Sequence, residues 1–176
     1  MANLMTAVSQ RARAEAADYA AGDNRPLGGY LTVMGVYAAV AGAGALAVRR
    51  RGLPERIRLD DVALLALATH KASRLLSKDA VTSPLRAPFT RYTGTSGPNE
   101  LREEVRHDGG IRHAVGELVT CPFCLSQWIA TGFGLGLVLR PRLTRLVAAV
   151  LAIRAGSDAL QLGYAYAQQR AQATPR

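Results

Sequence analysis

Four stretches of this chain are dominated by apolar residues, and they differ in how polar residues interrupt them. Pro26 to Val48 and Leu118 to Leu139 contain no charged residue. Each is long enough to cross a bilayer core as a helix, which takes roughly 20 apolar residues. Asp61 to Ser77 is clean only from Val62 to Thr69, after which His70, Lys71 and Arg74 follow. It either spans with its polar face turned into a bundle or stops partway as a re-entrant helix. Leu146 to Ala167 is interrupted by Arg154 and Asp158, spaced i, i+4 on one face, where they can neutralise each other. The pattern predicts an all-α fold: an integral membrane helical bundle of about four spans, near 27–48, 61–77, 118–139 and 146–167, with one irregular external loop at 78–117. Residues 1–25 form an alanine-rich tail, possible as a frayed helix, ahead of the membrane bundle at 26–176.

Local signals refine these elements. Asp60 or Asp61 can cap the second helix, and Leu59 can staple against Leu64. In the loop, Pro84, Pro88, Gly94, Gly97, Pro98, Gly109 and Gly110 break any long element, leaving room for a short helix from Asn99 to Arg106 capped by Asn99. Gly35, Ala39 and Ala43, and again Gly132 and Gly136, recur at four-residue spacing, a pattern that lets helices approach closely. The corresponding expectation is a helix-mediated homo- or hetero-oligomer.

Charge changes the picture from apolar segments to an oriented protein. The chain carries 22 basic and 13 acidic residues, a net +9. The basic residues bracket apolar runs: Arg49, Arg50, Arg51, Arg56 and Arg58 follow the first, and Arg140, Arg142 and Arg145 lie between the last two. This is the bias of cytoplasmic loops, and it places both termini and the 78–117 segment outside. No aromatic-interleaved basic stripe accompanies the charge, which argues against nucleic acid as a partner. The lipid bilayer and its anionic headgroups are the partners expected for the arginines. A cleaved signal peptide is the competing account of the first run, since Ala45-Leu46-Ala47 resembles a cleavage site; the region before it has no net positive charge. At about 1.5 Å per residue, Asp158 lies roughly 18 Å into its helix, and Lys71 and Arg74 lie at a similar depth in a parallel one. Asp158 can therefore be partnered by Lys71 or Arg74 as well as by Arg154.

Cys121-Pro122-Phe123-Cys124 is the sharpest chemical feature, because the two cysteines, alone in the chain, fall where a spanning helix begins. As a redox dithiol, Pro122 would take the first helical position, Cys121 the cap where a thiolate is favoured, and Cys124 the resolving position a turn deeper among apolar side chains. As a structural feature, the pair packs as small apolar residues or closes a passive disulfide. A metal site from Cys121, Cys124, His107 and His113 has permissible ligands at an unusual spacing in a Gly-rich loop, so no metal and no cofactor is assigned, and both histidines are expected to be solvated. His70 reads as hydrogen-bonded between helices or as a proton relay. Trp128 reads as an interfacial anchor. The Pro84-to-Phe89 segment reads as a turn seating the loop on the bundle, in which Arg86 could also hold a lipid phosphate.

His70-Lys71-Ala-Ser-Arg74-Leu-Leu-Ser-Lys-Asp79-Ala-Val-Thr-Ser-Pro84-Leu-Arg86-Ala-Pro88-Phe89, followed by Glu117-Leu-Val-Thr-Cys121-Pro122-Phe-Cys124-Leu-Ser-Gln-Trp128, resembles the bacterial membrane family catalogued as domain of unknown function 1360. The resemblance covers about Asp60 to Ala167. It implies a small multi-span membrane protein without an assigned activity and marks Arg74, Asp79, Pro84, Arg86, Pro88, Cys121, Pro122, Cys124 and Trp128 as signature positions. The expectation is a multi-pass protein of a bacterial inner membrane, acting as a non-enzymatic component or assembly partner of a membrane complex. The alternative is a membrane thiol-disulfide oxidoreductase in which Cys121 attacks, Cys124 resolves, and Arg74 or Lys71 stabilises the thiolate. That layout is similar to the four-helix disulfide-generating membrane enzymes, although those have a second cysteine pair and this chain has none.

Overall fold

A computed structural model describes residues 2–23, 25–106 and 109–173. These residues are mostly helical: α1 (Ala2–Ala20), α2 (Leu27–Arg51), α3 (Leu59–Lys78), α4 (Ser83–Arg86), α5 (Gly110–Thr120), α6 (Pro122–Leu139) and α7 (Pro141–Ala173), with strands β1 (Thr90–Gly97) and β2 (Glu100–Val105). Helices α2, α6 and α7 are long and apolar enough to cross a membrane. α3, with Asp60, Asp61, Lys71, Arg74 and Lys78, is not among them. The boundaries follow local chemistry. Pro122 and Pro141 open α6 and α7, where a missing N–H costs nothing and φ is already helical. Gly52 at φ 90 follows the last residue of α2, the left-handed position that glycine accepts at a helix C-terminus.

The expectation of an all-α fold with an irregular loop is corrected by the ordered segment 78–120. A 3-10 turn (Ala80–Thr82) leads into α4, an antiparallel hairpin of β1 and β2, and α5. The stretch expected to form a helix from Asn99 is β2. The reason lies in Gly97-Pro98-Asn99-Glu100: Gly97 pairs with Glu100, and Asn99 has φ 64. Proline at i+1 with positive φ at i+2 is type II turn geometry, so Asn99 turns the chain instead of capping a helix. Gly94, at φ 152, sits where the register shifts after Tyr92, the usual place for a bulge. Residues 118–120, which the hydrophobic pattern gives to the third span, belong to α5. Cys121 then breaks the helix with φ −98 and ψ 108, because a residue preceding proline is driven out of the α region. The cap and staple expected at Asp60, Asp61 and Leu59 are also corrected: α3 already begins at Leu59, which is exposed, and both aspartates have arginine partners instead.

The chain divides into two compact units, one made of Met1–Val40 and Ser77–Cys121 and the other of Ala41–Leu76 and Pro122–Arg176. In the first, α5 lies against the hairpin at Gly116, where a Cβ would come within 2.6 Å of Val105 Cγ1 and 3.1 Å of the Phe89 carbonyl oxygen. Gly29 of α2 likewise meets the Gly110 backbone and Ala114. In the second, α6 turns back into α7 at Arg140, and Gly136 accommodates Thr144 across that turn. The small-residue face of α2 is not used for these approaches: Gly35, Ala39 and Ala43 are exposed, and α2 packs instead through Gly29 and through Gly44 against Leu135.

Burial in the described residues is inverted relative to a water-soluble domain. The buried apolar residues are Val48, Ala68, Ala72, Ala114 and Ala148, while the buried polar ones include Asp61, Lys71, Asp79, Arg86 and His113. Large hydrophobic side chains such as Leu31, Met34 and Val40 on α2, Val62 and Leu67 on α3, and Val150 and Ile153 on α7 are exposed.

Candidate functional site

Two ion pairs tie α3 to α7. Arg145 donates from Nε and Nη2 to the two carboxylate oxygens of Asp61 at 2.7 and 2.8 Å, a bidentate fork that fixes orientation as well as charge. Lys71 Nζ lies 2.6 Å from Asp158 Oδ2, with the lysine side chain 9% exposed and the aspartate 41%. The contacts advance in the same direction along both helices, so α3 and α7 run parallel. The steps, 71 − 61 = 10 residues on one helix and 158 − 145 = 13 on the other, correspond to about 15 and 20 Å of rise. Of the residues expected to form a polar cluster, Lys71 and Asp158 form a direct ion pair. Arg154 is exposed on α7, and His70 and Arg74 lie elsewhere on α3.

His70 and Arg74 line a groove of about 710 Å³ that runs along α3 and α6 in the second unit. Its walls are largely apolar, and Pro122, Phe123 and Gly134 of α6 take part. Because α6 reverses direction at Arg140 and α7 parallels α3, α6 is antiparallel to α3. The last turns of α3 therefore lie beside the first turns of α6.

In the first unit, Arg86 is 1% exposed and joins three segments. Its Nε donates to Glu103 of β2, its Nη1 to Thr82 Oγ1 at 2.7 Å, and its Nη2 to the Asp79 carbonyl oxygen at 3.0 Å. Glu103 is also buried, with its side chain 5% exposed. Asp79 forms an isolated bridge with Glu100, Pro84 stands in the first turn of α4, and the Pro88 carbonyl accepts two hydrogen bonds from Arg112 at 2.7 and 3.0 Å. Asp79, Pro84, Arg86 and Pro88 thus build one structural knot. The alternative in which Arg86 holds a lipid phosphate is not supported, since its guanidinium donates to Glu103, Thr82 and the Asp79 carbonyl.

A second cluster, which the sequence did not reveal, centres on Glu117 of α5. Tyr30 donates to Glu117 Oε2 at 2.6 Å, Arg25 to Oε1 at 3.2 Å, and His113 Nε2 lies 3.4 Å from Oε1. His113 is buried on α5, which corrects its expected solvation. The i, i+4 spacing of His113 and Glu117 was the available signal, hidden because the segment reads as Gly-rich loop. His107 lies outside the described residues. Both cysteines are thiols, Cys121 half-buried at the junction of α5 and α6 and Cys124 exposed in the first turn of α6. The Cys121 amide donates to the Glu117 carbonyl at 3.2 Å. Cys124 is in the first turn of α6 and does not line the groove, although Phe123 and Ser126 do. Trp128 is half-buried on α6.

The family described as Protein of unknown function (DUF1360) matches residues 64–164, more than half of the chain and most of α3 through α7. The chain belongs to this family. It is 32% identical over 80 residues to the sporulation protein YjcA of Bacillus subtilis (strain 168), a stretch that covers 39% of this chain and 60% of that protein. The match therefore spans less than two thirds of the relative's length. No solved structure matches the chain.

Proposed function

We propose that this chain is a multi-pass protein of the bacterial inner membrane in which α3 spans beside α2, α6 and α7, and that it serves as a non-enzymatic component of a membrane assembly. The inverted burial carries this reading. On α3, Asp61, Lys71, Ser73 and Ser77 face inward while Val62 and Leu67 face outward. Such a helix is unfavourable in water, where large apolar side chains gain by burial, and favourable in lipid, where polar groups must be satisfied inside the protein. The parallel ion pairs hold α3 alongside α7 over about 15 Å, and the 20 residues of α3 give it about 30 Å, the length a full crossing needs. Exposed small residues on α2 suit contact with a partner helix. The sporulation relative supports a bacterial setting. Neither it nor the family is described as acting on thiols, and we keep Cys121 and Cys124 as small apolar residues where α5 gives way to α6.

Topology reporters test the spans. Fusions at Arg51 and Arg142 should be cytoplasmic and one at Gly97 external. A cytoplasmic Gly97 would mean that α3 does not cross and would end the four-span reading. Native electrophoresis of gently solubilised membranes tests the assembly: the chain should migrate in a complex much larger than itself, and migration as a monomer would refute a component role.

A further inference from the structure

We infer that the end of the second unit where α2 and α6 stop and α3 and α7 start binds a phospholipid whose headgroup carries two phosphates. The inference rests on the membrane reading above. Connectivity gathers the four helix ends: residues 52–58 join α2 to α3, Asp61 near the start of α3 is held by Arg145 near the start of α7, and α6 turns into α7 at Arg140. All of these residues belong to one unit. Within it Gly44 of α2 meets Leu135 of α6, each five residues before an arginine, so Arg49 and Arg140 stand at one level about 7 Å further on. Eight arginines collect at this end against the three carboxylates Glu55, Asp60 and Asp61. Two of those carboxylates are already engaged, Asp60 by Arg58 and Asp61 by Arg145. Among the described residues, the side chains of Arg49, Arg50, Arg51, Arg56, Arg140 and Arg142 take part in no hydrogen bond or ion pair, and all six residues are exposed.

These six arginines form two groups on separate connections, and each connection also exposes large apolar side chains. Leu53 and Ile57 adjoin the first group, and Leu143 and Leu146 the second. An acidic polypeptide or a nucleic acid would neutralise the arginines but leave those four side chains in water, forgoing about 25 cal/mol for each Å² of apolar surface. A lipid covers both. Guanidinium groups take phosphate in a bidentate fork, and the boundary between headgroups and acyl chains receives the leucines and the isoleucine. Two arginine groups at one level offer two phosphate sites, and a lipid that carries both phosphates engages the second intramolecularly. A lipid with one phosphate has no such advantage.

The test is lipid binding by the full-length protein in detergent, with bound cardiolipin and phosphatidylglycerol counted by native mass spectrometry at equal phosphate concentration. The parent should prefer cardiolipin about tenfold, the ratio set by one further charge-assisted hydrogen bond. Arg140→Gln with Arg142→Gln should bring the two lipids level, and so should Arg49→Gln, Arg50→Gln and Arg51→Gln together, because each set dismantles one phosphate site and leaves the other. Six and five arginines respectively remain at that end to orient the chain, and either set decides the matter should the other fail to fold. Arg11→Gln with Arg13→Gln on α1 removes charge elsewhere and should keep the parent's preference. Equal binding of both lipids by the parent, a preference that survives either set of replacements, or one lost in the α1 variant each overturns the proposal. Displacement of bound cardiolipin by an equimolar polyglutamate peptide also overturns it, in favour of an acidic protein partner. Alkaline carbonate extraction separates this from the membrane reading: release of the chain refutes that reading, whereas retention without a cardiolipin preference refutes only the lipid site.

Discussion

Two arginines with carboxylate partners show how burial decides what an ion pair contributes. Arg86 and Glu103 are both enclosed, and the guanidinium satisfies three separate acceptors. Removing one partner of such a pair leaves an uncompensated buried charge, so Arg86→Ala should destabilise the protein by about 3–5 kcal/mol. Arg86→Lys should recover little, because one ammonium cannot reproduce a planar fork aimed at three groups. Thermal unfolding in detergent measures both, and a lysine variant as stable as the parent would show that the knot is not held by this geometry. Arg58 and Asp60 form the contrast. Their side chains are 70% and 64% exposed, and the hydrogen bond from Arg58 holds the Asp60 carboxyl below the usual carboxylate range. The stabilisation from that depressed value is present at neutral pH and fades as pH falls through it. Solvent screening keeps it small, and Arg58→Ala should leave the unfolding midpoint unchanged. Neither contribution was legible from one-dimensional pattern: Arg86 was visible as a residue in a proline-flanked turn, but its partner Glu103 lies 17 residues on, in a segment whose composition suggests a helix.

Among the elements, the hairpin is where tertiary pairing overrides local propensity. Glu100 to Val105 is rich in good helix formers, yet it pairs with Thr90 to Gly97 and supports α5 through Val105 at Gly116. The turn makes a test available. With φ 64 at Asn99, a β-branched replacement meets the steric penalty of the left-handed region, about 1–2 kcal/mol, whereas glycine does not. Asn99→Val should therefore lower stability by that amount and Asn99→Gly should not; equal stability of the two would remove the type II turn from the account. The helices α2 and α6 were legible because uncharged length is a strong signal, and α7 because only Arg154 and Asp158 interrupt its apolar run from Leu146 to Ala167. The break at Cys121 could also be found in the sequence, in the proline that follows, but the hydrophobic run across it concealed the end of α5. The Lys71–Asp158 pair was foreseen as one of several options, and the structure holds it at 2.6 Å. Lys71→Met or Asp158→Leu alone should destabilise the protein, by less than a fully enclosed pair would cost because Asp158 is 41% exposed, and the double variant should recover most of the loss, since exchanging both members of an ion pair for apolar residues is often neutral. Additive losses would mean that the two residues do not act as a pair.

At the scale of the whole molecule, the distribution of side chains separates the helices by the solvent they meet. On α2, Val40 is 51% exposed near the middle of an uncharged run; on α1, Val8 is 60% exposed among Arg11, Arg13, Glu15 and Asp18. Exposure is nearly the same, but the proposed membrane setting puts lipid around the valine of the uncharged run and water around the one among charges. An arginine at the centre of a spanning helix costs about 2.5–3.5 kcal/mol on insertion scales, whereas one on a solvated helix costs little. Val40→Arg should therefore lower the fraction of chain that resists carbonate extraction, and Val8→Arg should leave it unchanged. Truncating hydrophobic contact alone would not distinguish the two sites, because neither valine is buried against protein; only the surrounding medium differs. If both variants fractionate like the parent, α2 does not cross the bilayer, and the exposed apolar faces of these helices must be covered by protein instead.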